Sequence, residues 1–261
     1  MAFTKSAIKK AIKKNLVRVN GEIASTAIYI RGGEEISLTI EKATSKPALK
    51  LDLKILYEDE HLAVIEKPAG IPVSGNSFRN ISNALEMNLK ESKDQDAIHA
   101  RPVHRLDQPT TGALLIGKTS SSIRVLNKMF EDHQVQKIYY AIVIGDINDS
   151  GSLDSSVDGK DAKTLFQRID SVASERFGSL SLLRLEPKTG RRHQLRMQLS
   201  DRSNPILGDR SYGRDGLILK GKGLYLHAFS LSFVHPYSKE QIHVHSPLPK
   251  KFLKIFPDFK F

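Results

Sequence analysis

Apolar and charged residues separate cleanly along the first fifteen positions of the chain. At about 100° per residue, the apolar side chains fall on one helical face and the lysines fall on the opposite face. The apolar face holds Ala7, Ile8, Ala11 and Ile12, and the charged face holds Lys9, Lys10, Lys13 and Lys14. We therefore expect an amphipathic helix that begins after Thr4 as its N-cap and stops at Asn15 in a left-handed conformation.

After this helix the pattern changes to the alternation of β-strands. Leu16–Val19 alternates, and Asn20-Gly21 is a strong signal for a two-residue hairpin turn. A second glycine pair, Gly32-Gly33, marks another turn before a strand-like stretch at residues 34–38. The polar residues 41–52 predict a linker. We therefore expect two domains, a small unit at residues 1–46 and a larger one at residues 47–261.

Beyond the linker, apolar runs come in pairs separated by turn residues, which is typical of hairpins rather than of strand–helix–strand units. The expected strands lie near residues 55–58, 62–66, 113–116, 137–144, 163–170, 179–185, 225–234 and 241–245, and residues 148–160 form a loop. The expected helices lie at Ile81–Lys90, at about 119–133, at His193–Leu199 and around Phe252–Phe256. This order favours the α+β class, with a mixed, mostly antiparallel sheet.

Composition excludes several classes of protein and of site. The 261 residues contain no cysteine, which excludes disulfides and thiolate metal sites. No apolar run approaches the roughly 18 residues of a membrane-spanning helix. No apolar segment follows the first basic residues as it would in a secretory signal. These features predict a cytoplasmic protein with no membrane partner.

The charge is concentrated in the small N-terminal unit. The net charge is +11, and residues 1–50 hold ten Lys/Arg against four Asp/Glu. A basic cluster of this kind is expected of an electrostatic grip on nucleic acid. The alternative is a solvated basic face that only aids solubility.

Two stretches imitate ligand sites. Gly112–Thr119 fits the P-loop pattern letter for letter. A P-loop needs a strand before its first glycine and a loop between the glycines, whereas here Pro109 precedes the first glycine and the residues between them are strand-like. His243 and His245 share one strand face as two metal ligands would, but no third ligand is identifiable. We therefore expect no nucleotide cofactor and no metal.

The stretch Arg101–Gly112 is the densest in chemistry-bearing side chains. It packs an acid, two arginines, a histidine, two prolines and two threonines into twelve residues. Proline fixes φ and donates no hydrogen bond, so the stretch predicts a rigid loop around Asp107. A rigid, ionised aspartate in a basic loop suits a nucleophile. The alternative is a surface turn with a local ion pair.

Two later stretches offer partners for Asp107. Pro187–Arg196 places four cations and a histidine around a turn that leads into a helix. One interpretation is that Arg196 pairs with Asp107, anchoring it and supplying its counter-charge. The alternative is a patch for the RNA backbone or a charged turn. Arg191 and Arg192 are expected to bind RNA. Tyr139 and Tyr140 alternate on a strand, so one enters the core while the other is free to stack on a base.

The segment Lys5–Gly21 resembles the S4-type RNA-binding module. The resemblance covers roughly residues 1–40, and the helix that usually opens that module has no counterpart before Phe3. It implies a shortened module that presents one helix face and the following turn to RNA. The implied RNA-binding residues are Lys5, Lys9, Lys10, Lys13, Lys14 and Arg18.

The larger domain resembles the RluA-type pseudouridine synthase family. Six pieces match in the family's order over residues 53–250, namely Lys67–Gly70, His104–Gly112, Lys137–Tyr139, Thr189–Arg196, Leu207–Gly213 and Leu226–Ala228. The resemblance implies that Asp107 is the catalytic aspartate, that Tyr139 stacks on the target uracil and that Arg196 pairs with Asp107. It also implies that Arg105 takes the place of the displaced nucleotide in the RNA. Leu226 and His104 complete the implied substrate-binding set.

The activity that this resemblance implies is the isomerisation of uridine in RNA to pseudouridine. The C1′–N1 bond is cut, the uracil turns and C1′ joins C5, which requires no redox change, metal or cofactor. The carboxylate acts as a nucleophile at C1′ or C6, or as a base on the ribose. The alternative is a non-catalytic RNA-binding or ribosome-assembly factor. We expect a monomer whose partner is RNA, with ribosomal RNA favoured and transfer RNA possible.

Overall fold

The computed structural model describes residues 5–39 and 48–259, and the chain divides into two compact units between Pro47 and Ala48. The expected N-cap Thr4 and residues 41–47 of the expected linker lie outside the described residues. Among the described residues, no helix is both long and apolar enough to cross a membrane.

The N-terminal unit consists of helix α1 (Lys5–Lys13) and three short strands, β1 (Val17–Val19), β2 (Glu22–Ile23) and β3 (Ile36–Leu38). The strands pair antiparallel in the order β2-β1-β3. The apolar face of α1 contributes Ala11 and Ile12 to a small core with Val17, Val19 and Ala24. The lysines of α1 are exposed, which confirms the predicted amphipathic helix.

Backbone geometry confirms the predicted helix end and hairpin turn of this unit. Asn15 ends the helix at φ 58°, in the left-handed region that asparagine tolerates. Asn20 and Gly21 have φ of 49° and 85° where β1 turns into β2. Positive φ at both central residues is what a type I′ hairpin turn requires.

The C-terminal unit is built on one ten-stranded sheet. Its strands are β4 (Lys54–Glu58), β5 (Leu62–Lys67), β6 (Ala97–Pro102), β7 (Thr111–Thr119), β8 (Gln136–Ile144), β9 (Ser150–Leu153), β10 (Thr164–Ser174), β11 (Gly178–Pro187), β12 (Leu226–Val234) and β13 (Gln241–His245). The main path runs β4-β5-β7-β12-β8-β11-β10-β9, with β6 beside β7 and β13 beside β12. Its helices are α2 (Ser120–Glu131), α3 (Gln194–Asp201) and α4 (Lys250–Leu253).

One parallel contact joins the two halves of this otherwise antiparallel sheet. The start of β7 runs parallel to β12, with Gly112 beside Ala228. A Cβ on Gly112 would lie 2.1 Å from the Ala228 carbonyl oxygen, and its φ is +117°, so only glycine fits there. Because Ala228 pairs with Tyr139 on β8, this close approach sets the loop before β7 next to β8. The mostly antiparallel α+β prediction is confirmed.

Several predicted elements differ from the structure. Ile81–Lys90 is not an α-helix but two 3₁₀ turns, at Ile81–Asn83 and Leu85–Met87. Asparagine side chains compete for the backbone there, since Asn80 accepts from the Asn83 amide and Asn88 donates to Leu51 and Ala84. Strands β6 and β9 were not predicted, and β9 lies inside the stretch expected to be a loop.

The P-loop imitation is resolved by strand pairing. The backbone of residues 112–117 pairs with β5 along the length of Leu62–Lys67. These backbone groups belong to the ladder of a buried strand, so they do not wrap a phosphate. The pattern match is therefore a strand that carries glycines at both ends.

Candidate active site

Asp107 lies in the loop of residues 103–110 between β6 and β7, hereafter the Asp107 loop. The loop is closed by a turn in which the Thr110 amide donates to the Asp107 carbonyl at 3.0 Å. It is tied to the segment after β5, because the Gly70 amide donates to the Gln108 carbonyl at 2.8 Å. The Asp107 carboxylate is 13% exposed, so it faces a cavity rather than open solvent.

Lys67 holds the Asp107 loop from below, a role that the sequence did not assign. Its side chain is fully buried, and its ammonium donates to the carbonyls of Pro68, Gln108 and Thr110 at 2.8, 3.1 and 2.8 Å. Burial lowers the pKa of Lys67 to about 8, while attraction to Asp107 opposes that shift. The buried cation therefore ties the backbone that follows Asp107 to the segment after β5.

Arg196 on α3 reaches Asp107 from the other side, as predicted. Its Nη1 lies 3.2 Å from Oδ2 of Asp107. Its Nε and Nη2 donate at 2.7 and 2.8 Å to the two oxygens of Asp209, which the sequence did not identify. This two-point grip fixes the guanidinium plane before any substrate arrives.

Asp209 is itself held by the backbone that follows it. Its side chain is fully buried, and it accepts the amides of Ser211 and Tyr212 at 2.9 and 3.1 Å. Burial raises the pKa of Asp209, but the hydrogen bonds from Arg196 and these amides outweigh burial and hold that pKa below its usual range. Arg196 therefore has one permanent carboxylate partner and one that faces the cavity.

Tyr139 and Leu226 form an apolar wall of the same cavity. Tyr139 on β8 pairs with Ala228 on β12, and Leu226 lies two residues earlier on that strand, so both side chains share one sheet face. Burial and the nearby Asp107 raise the pKa of Tyr139, which keeps its phenol neutral. Tyr140 points to the opposite face and packs in the core, as the alternation predicted.

His104 lines the cavity, but its ring is occupied by the fold. Its Nε2 accepts the Leu115 amide at 2.9 Å, and its ring stacks on Phe130 with centroids 4.5 Å apart. Burial lowers the pKa of His104 to about 3, so the ring is neutral. The structure thus gives His104 a place in holding the Asp107 loop against β7, alongside the substrate contact predicted for it.

His193 and Tyr212 were not singled out by the sequence, yet both lie at this site. His193 precedes α3 with φ of 55°, and its Nε2 is 3.6 Å from Oδ1 of Asp107. Its Nδ1 is 2.8 Å from the Tyr212 hydroxyl. The Tyr212 ring in turn lies under the Arg196 guanidinium at 4.9 Å.

A cavity of about 550 Å³ in the C-terminal unit is lined by Asp107, Arg196, Tyr139, Leu226, His104 and His193. Its rim is basic and includes Arg105, Lys137, Arg191 and Arg192. Arg105, Arg191 and Arg192 are exposed. The volume suits a nucleotide rather than a helix of nucleic acid, so a target base must leave its stack to enter. The RNA-binding residues predicted in the N-terminal unit, namely Lys5, Lys9, Lys10, Lys13, Lys14 and Arg18, are all exposed on that unit.

His243 and His245 lie on the exposed face of β13, which pairs with β12. His243 Nδ1 is 2.9 Å from the Ser232 hydroxyl. Within residues 5–39 and 48–259, no group of three or more His, Asp or Glu side chains is arranged to hold a metal ion. Both histidines are exposed on a strand of the predicted hairpin.

Four residues at the site were not predicted from the sequence, and they share one reason. Lys67, His193, Asp209 and Tyr212 all fall inside pieces of the family resemblance, but none stands next to Asp107 in the chain. Their roles follow from contacts across large sequence separations, which spacing does not reveal. Their presence in those pieces was the one available signal.

Comparison with known proteins places this site in a family. Residues 61–201 match the family described as RNA pseudouridylate synthase. The chain is 31% identical to the ribosomal large subunit pseudouridine synthase D of Xanthomonas campestris pv. campestris, over 95% of this chain and 82% of that protein. It is 33% identical to the tRNA pseudouridine synthase C of Haemophilus ducreyi, over 80% of this chain and 96% of that protein.

A solved structure agrees with these sequence matches. The human protein RNA pseudouridylate synthase domain containing 4 superposes with a TM-score of 0.64 at 27% identity, covering 78% of this chain and 92% of that one. The matches are to enzymes, which favours catalysis over the alternative of a non-catalytic RNA-binding factor. This chain belongs to the RNA pseudouridylate synthase family and is an RNA pseudouridine synthase, an isomerase of uridine in RNA.

Proposed function

We propose that Asp107 is the carboxylate that reacts with the target uridine, with Arg196 as its anchor and Tyr139 as the ring that stacks on the uracil. The observation that carries this proposal is the contact of Arg196 with two carboxylates. Asp209 is buried and locks the guanidinium, whereas Asp107 remains open to the cavity. A preorganised cation of this kind holds a nucleophile or base in place without reorganisation during the reaction.

The neutral phenol and the apolar wall suit a flipped pyrimidine. Tyr139 offers a ring face beside Asp107, and Leu226 adds an apolar surface on the same side. A flipped base is held by stacking and by contacts to its edges. In this arrangement the ribose faces Asp107, as attack at C1′ or proton removal from the ribose both require.

Arg105 is the side chain that we propose to occupy the space left by the flipped nucleotide. It is exposed at the cavity mouth, two residues before Asp107. An inserted guanidinium restores stacking against the neighbouring bases and offsets part of the cost of flipping. Arg191 and Arg192, also exposed on the rim, contact the RNA backbone.

We propose that the N-terminal unit is an S4-type module that adds electrostatic affinity for RNA. Its support is the exposed lysine face of α1 and the three-stranded sheet that packs on the apolar face of this helix. Phosphate contacts by lysines raise affinity without reading sequence.

Ribosomal RNA is the target that we propose, in preference to transfer RNA. The relative named for the large ribosomal subunit aligns over 95% of this chain, whereas the relative named for tRNA aligns over 80%. We also propose that the enzyme acts in the cytoplasm as a monomer. We propose that it needs no cofactor, because the isomerisation is redox-neutral and both bonds change within one nucleotide.

The test is a comparison of pseudouridine maps from cells with and without this protein. Loss of one or a few sites in large-subunit ribosomal RNA is the expected result. The purified protein should restore the same sites in unmodified transcripts of that RNA. Sites lost only from transfer RNA would overturn the proposed target, and no lost site in any RNA would overturn the proposed roles.

A further inference from the structure

His193 is held beside the reacting carboxylate by two independent features of the fold. Its backbone adopts the left-handed conformation, with φ of 55° and ψ of 17°, immediately before α3. Its Nδ1 meets the Tyr212 hydroxyl at 2.8 Å. Together they direct Nε2 toward Asp107, 3.6 Å from Oδ1. Residues other than glycine rarely adopt this left-handed conformation. Where they do, it is often at functional sites, where the surrounding structure holds the residue in place.

The isomerisation also requires the removal of one proton. Exchange of the glycosidic bond at Asp107 does not by itself account for that step. When C5 joins C1′, C5 becomes tetrahedral and still carries its hydrogen, while N1 is double-bonded to C6. The aromatic uracil is regained only when a base removes the C5 proton. Because C5 is then bonded to C1′, that base must stand close to the carboxylate that faces C1′.

The other groups around Asp107 are poorly suited to accept this proton. Arg196 is permanently protonated. Lys67 is buried, and its ammonium is committed to three backbone carbonyls. Tyr139 has its pKa raised by burial and by Asp107, so it holds its proton at neutral pH. His104 uses its Nε2 to accept the Leu115 amide.

We propose that His193 is the base that removes the C5 proton from the newly joined uracil. This inference rests on the proposed role of Asp107. The C5–H electron pair forms the C5=C6 bond, and the electron pair of the C6=N1 double bond moves onto N1, which takes a proton from water. Nε2 of His193 receives the C5 proton, and the resulting imidazolium returns one proton to solvent through Nδ1 and the Tyr212 hydroxyl. The exchange is balanced, and the histidine is regenerated.

The charges around His193 keep it in the form that this step needs. Burial lowers its pKa, Asp107 raises it, and the guanidinium groups of Arg196, Arg192 and Arg105 lower it again, with a net lowering. These groups come from the Asp107 loop, from the turn before α3 and from α3 itself, while Tyr212 contributes a neutral hydroxyl. Neutral imidazole therefore predominates at neutral pH and is lost as the pH falls through the pKa of His193.

The experiment compares wild-type enzyme with His193→Gln on transcripts of large-subunit ribosomal RNA that the wild-type enzyme converts. Glutamine keeps a polar group near Tyr212 but does not titrate. The transcripts are made with uridine that carries either hydrogen or deuterium at C5. Single-turnover rates are measured across pH, with His243→Gln, an exposed histidine outside the cavity, as the matched control. Tyr212→Phe is a second variant that keeps the ring and removes the hydroxyl.

His193→Gln is expected to slow pseudouridine formation by roughly 10² to 10⁴-fold, as loss of a general base does. The slowed reaction should show a larger deuterium effect than wild type, and the acid-side fall in rate should disappear. Tyr212→Phe should give a smaller loss in the same direction, and His243→Gln should match wild type.

Two results would overturn the proposal. One is a His193→Gln rate close to that of wild type. The other is a slower rate with an unchanged deuterium effect and an unchanged acid limb, which would make His193 a positioning residue and leave Asp107 as the base. Failure of the proposed role of Asp107 is distinguishable, because it appears in Asp107 variants whatever His193 does.

Discussion

Two buried cations flank the Asp107 loop, and the fold supplies them with different kinds of hydrogen-bond partner. Arg196 meets two carboxylates, Asp107 and Asp209. Lys67 donates hydrogen bonds to the backbone carbonyls of Pro68, Gln108 and Thr110. The arginine fixes the position of a reactive charge, whereas the lysine fixes the path of the chain that carries it. The site thus separates control of the carboxylate from control of its backbone.

The largest expected effect comes from breaking the arginine side of this comparison. Arg196→Met leaves Asp209 buried without its counter-ion, so we expect a loss of roughly 3–5 kcal/mol in the free energy of unfolding. Turnover should be lost as well, because Asp107 loses its anchor. Denaturant unfolding and pseudouridine formation measure the two effects.

The double variant Arg196→Met with Asp209→Leu sharpens this result. Replacing both partners of a buried ion pair by apolar groups is much less costly than removing one. Stability should recover in part while turnover stays lost. Equal stability of the single and double variants would mean that the pair does not couple as the geometry indicates.

A smaller effect is expected on the lysine side. Lys67→Met keeps a linear side chain but leaves three backbone carbonyls without their donor, two of them in the Asp107 loop, which should cost roughly 2–4 kcal/mol of unfolding free energy. Displacement of the loop should lower turnover by about 10²-fold, with RNA affinity nearly unchanged. Gel-shift binding and single-turnover rates separate these two effects, and a loss of affinity without a loss of rate would contradict the assignment.

A still smaller effect is expected on the pH dependence of folding stability, to which His227 contributes. His227 is fully buried between the Thr111 hydroxyl, 2.7 Å away, and the Ser246 carbonyl, and burial lowers its pKa to about 4. Below its ordinary pKa near 6.5, the unfolded chain binds a proton that the folded chain does not. This contribution to stability is therefore complete above pH 6.5 and is lost as the pH falls toward 4.

Unfolding measured at pH 7 and pH 5 tests this reasoning. The wild type should lose roughly 2 kcal/mol more than His227→Gln over that interval. The exposed His243→Gln variant should lose as much as wild type. Parallel pH curves for wild type and His227→Gln would show that His227 is not held neutral in the fold.

The sequence predicted best where the information is local. The lysine stripe of α1 and the turn at Asn20-Gly21 follow from periodicity and turn chemistry, and both are present. The helix predicted at Ile81–Lys90 was wrong, because the asparagines that interrupt its apolar residues bind backbone groups. Strand β9 was missed because it is a short Ser/Gly segment, and β6 was missed because it lacks regular alternation and pairs irregularly with β7.

The residues alone offered Asp107, Arg196 and Tyr139 as candidates, and only the resemblance assigned each of them a definite role. The contact of Asp107 with Arg196 joins residues 89 positions apart, and the bond of Lys67 to Thr110 spans 43. No local pattern encodes such pairs, since they depend on the order of strands in the sheet. The contacts of Asp209 and His193 are further examples, because they form only when β7, β8 and α3 are brought together in the folded chain.

The most direct test of the account is pseudouridine formation by Asp107→Asn, measured beside its unfolding midpoint and its RNA affinity. Asparagine keeps the shape of the side chain but is neither a nucleophile nor a base. The account predicts a fall in turnover of at least about 10³-fold, with RNA binding and the unfolding midpoint near those of wild type. Substantial turnover by this variant would contradict the assignment of Asp107 as the reacting carboxylate.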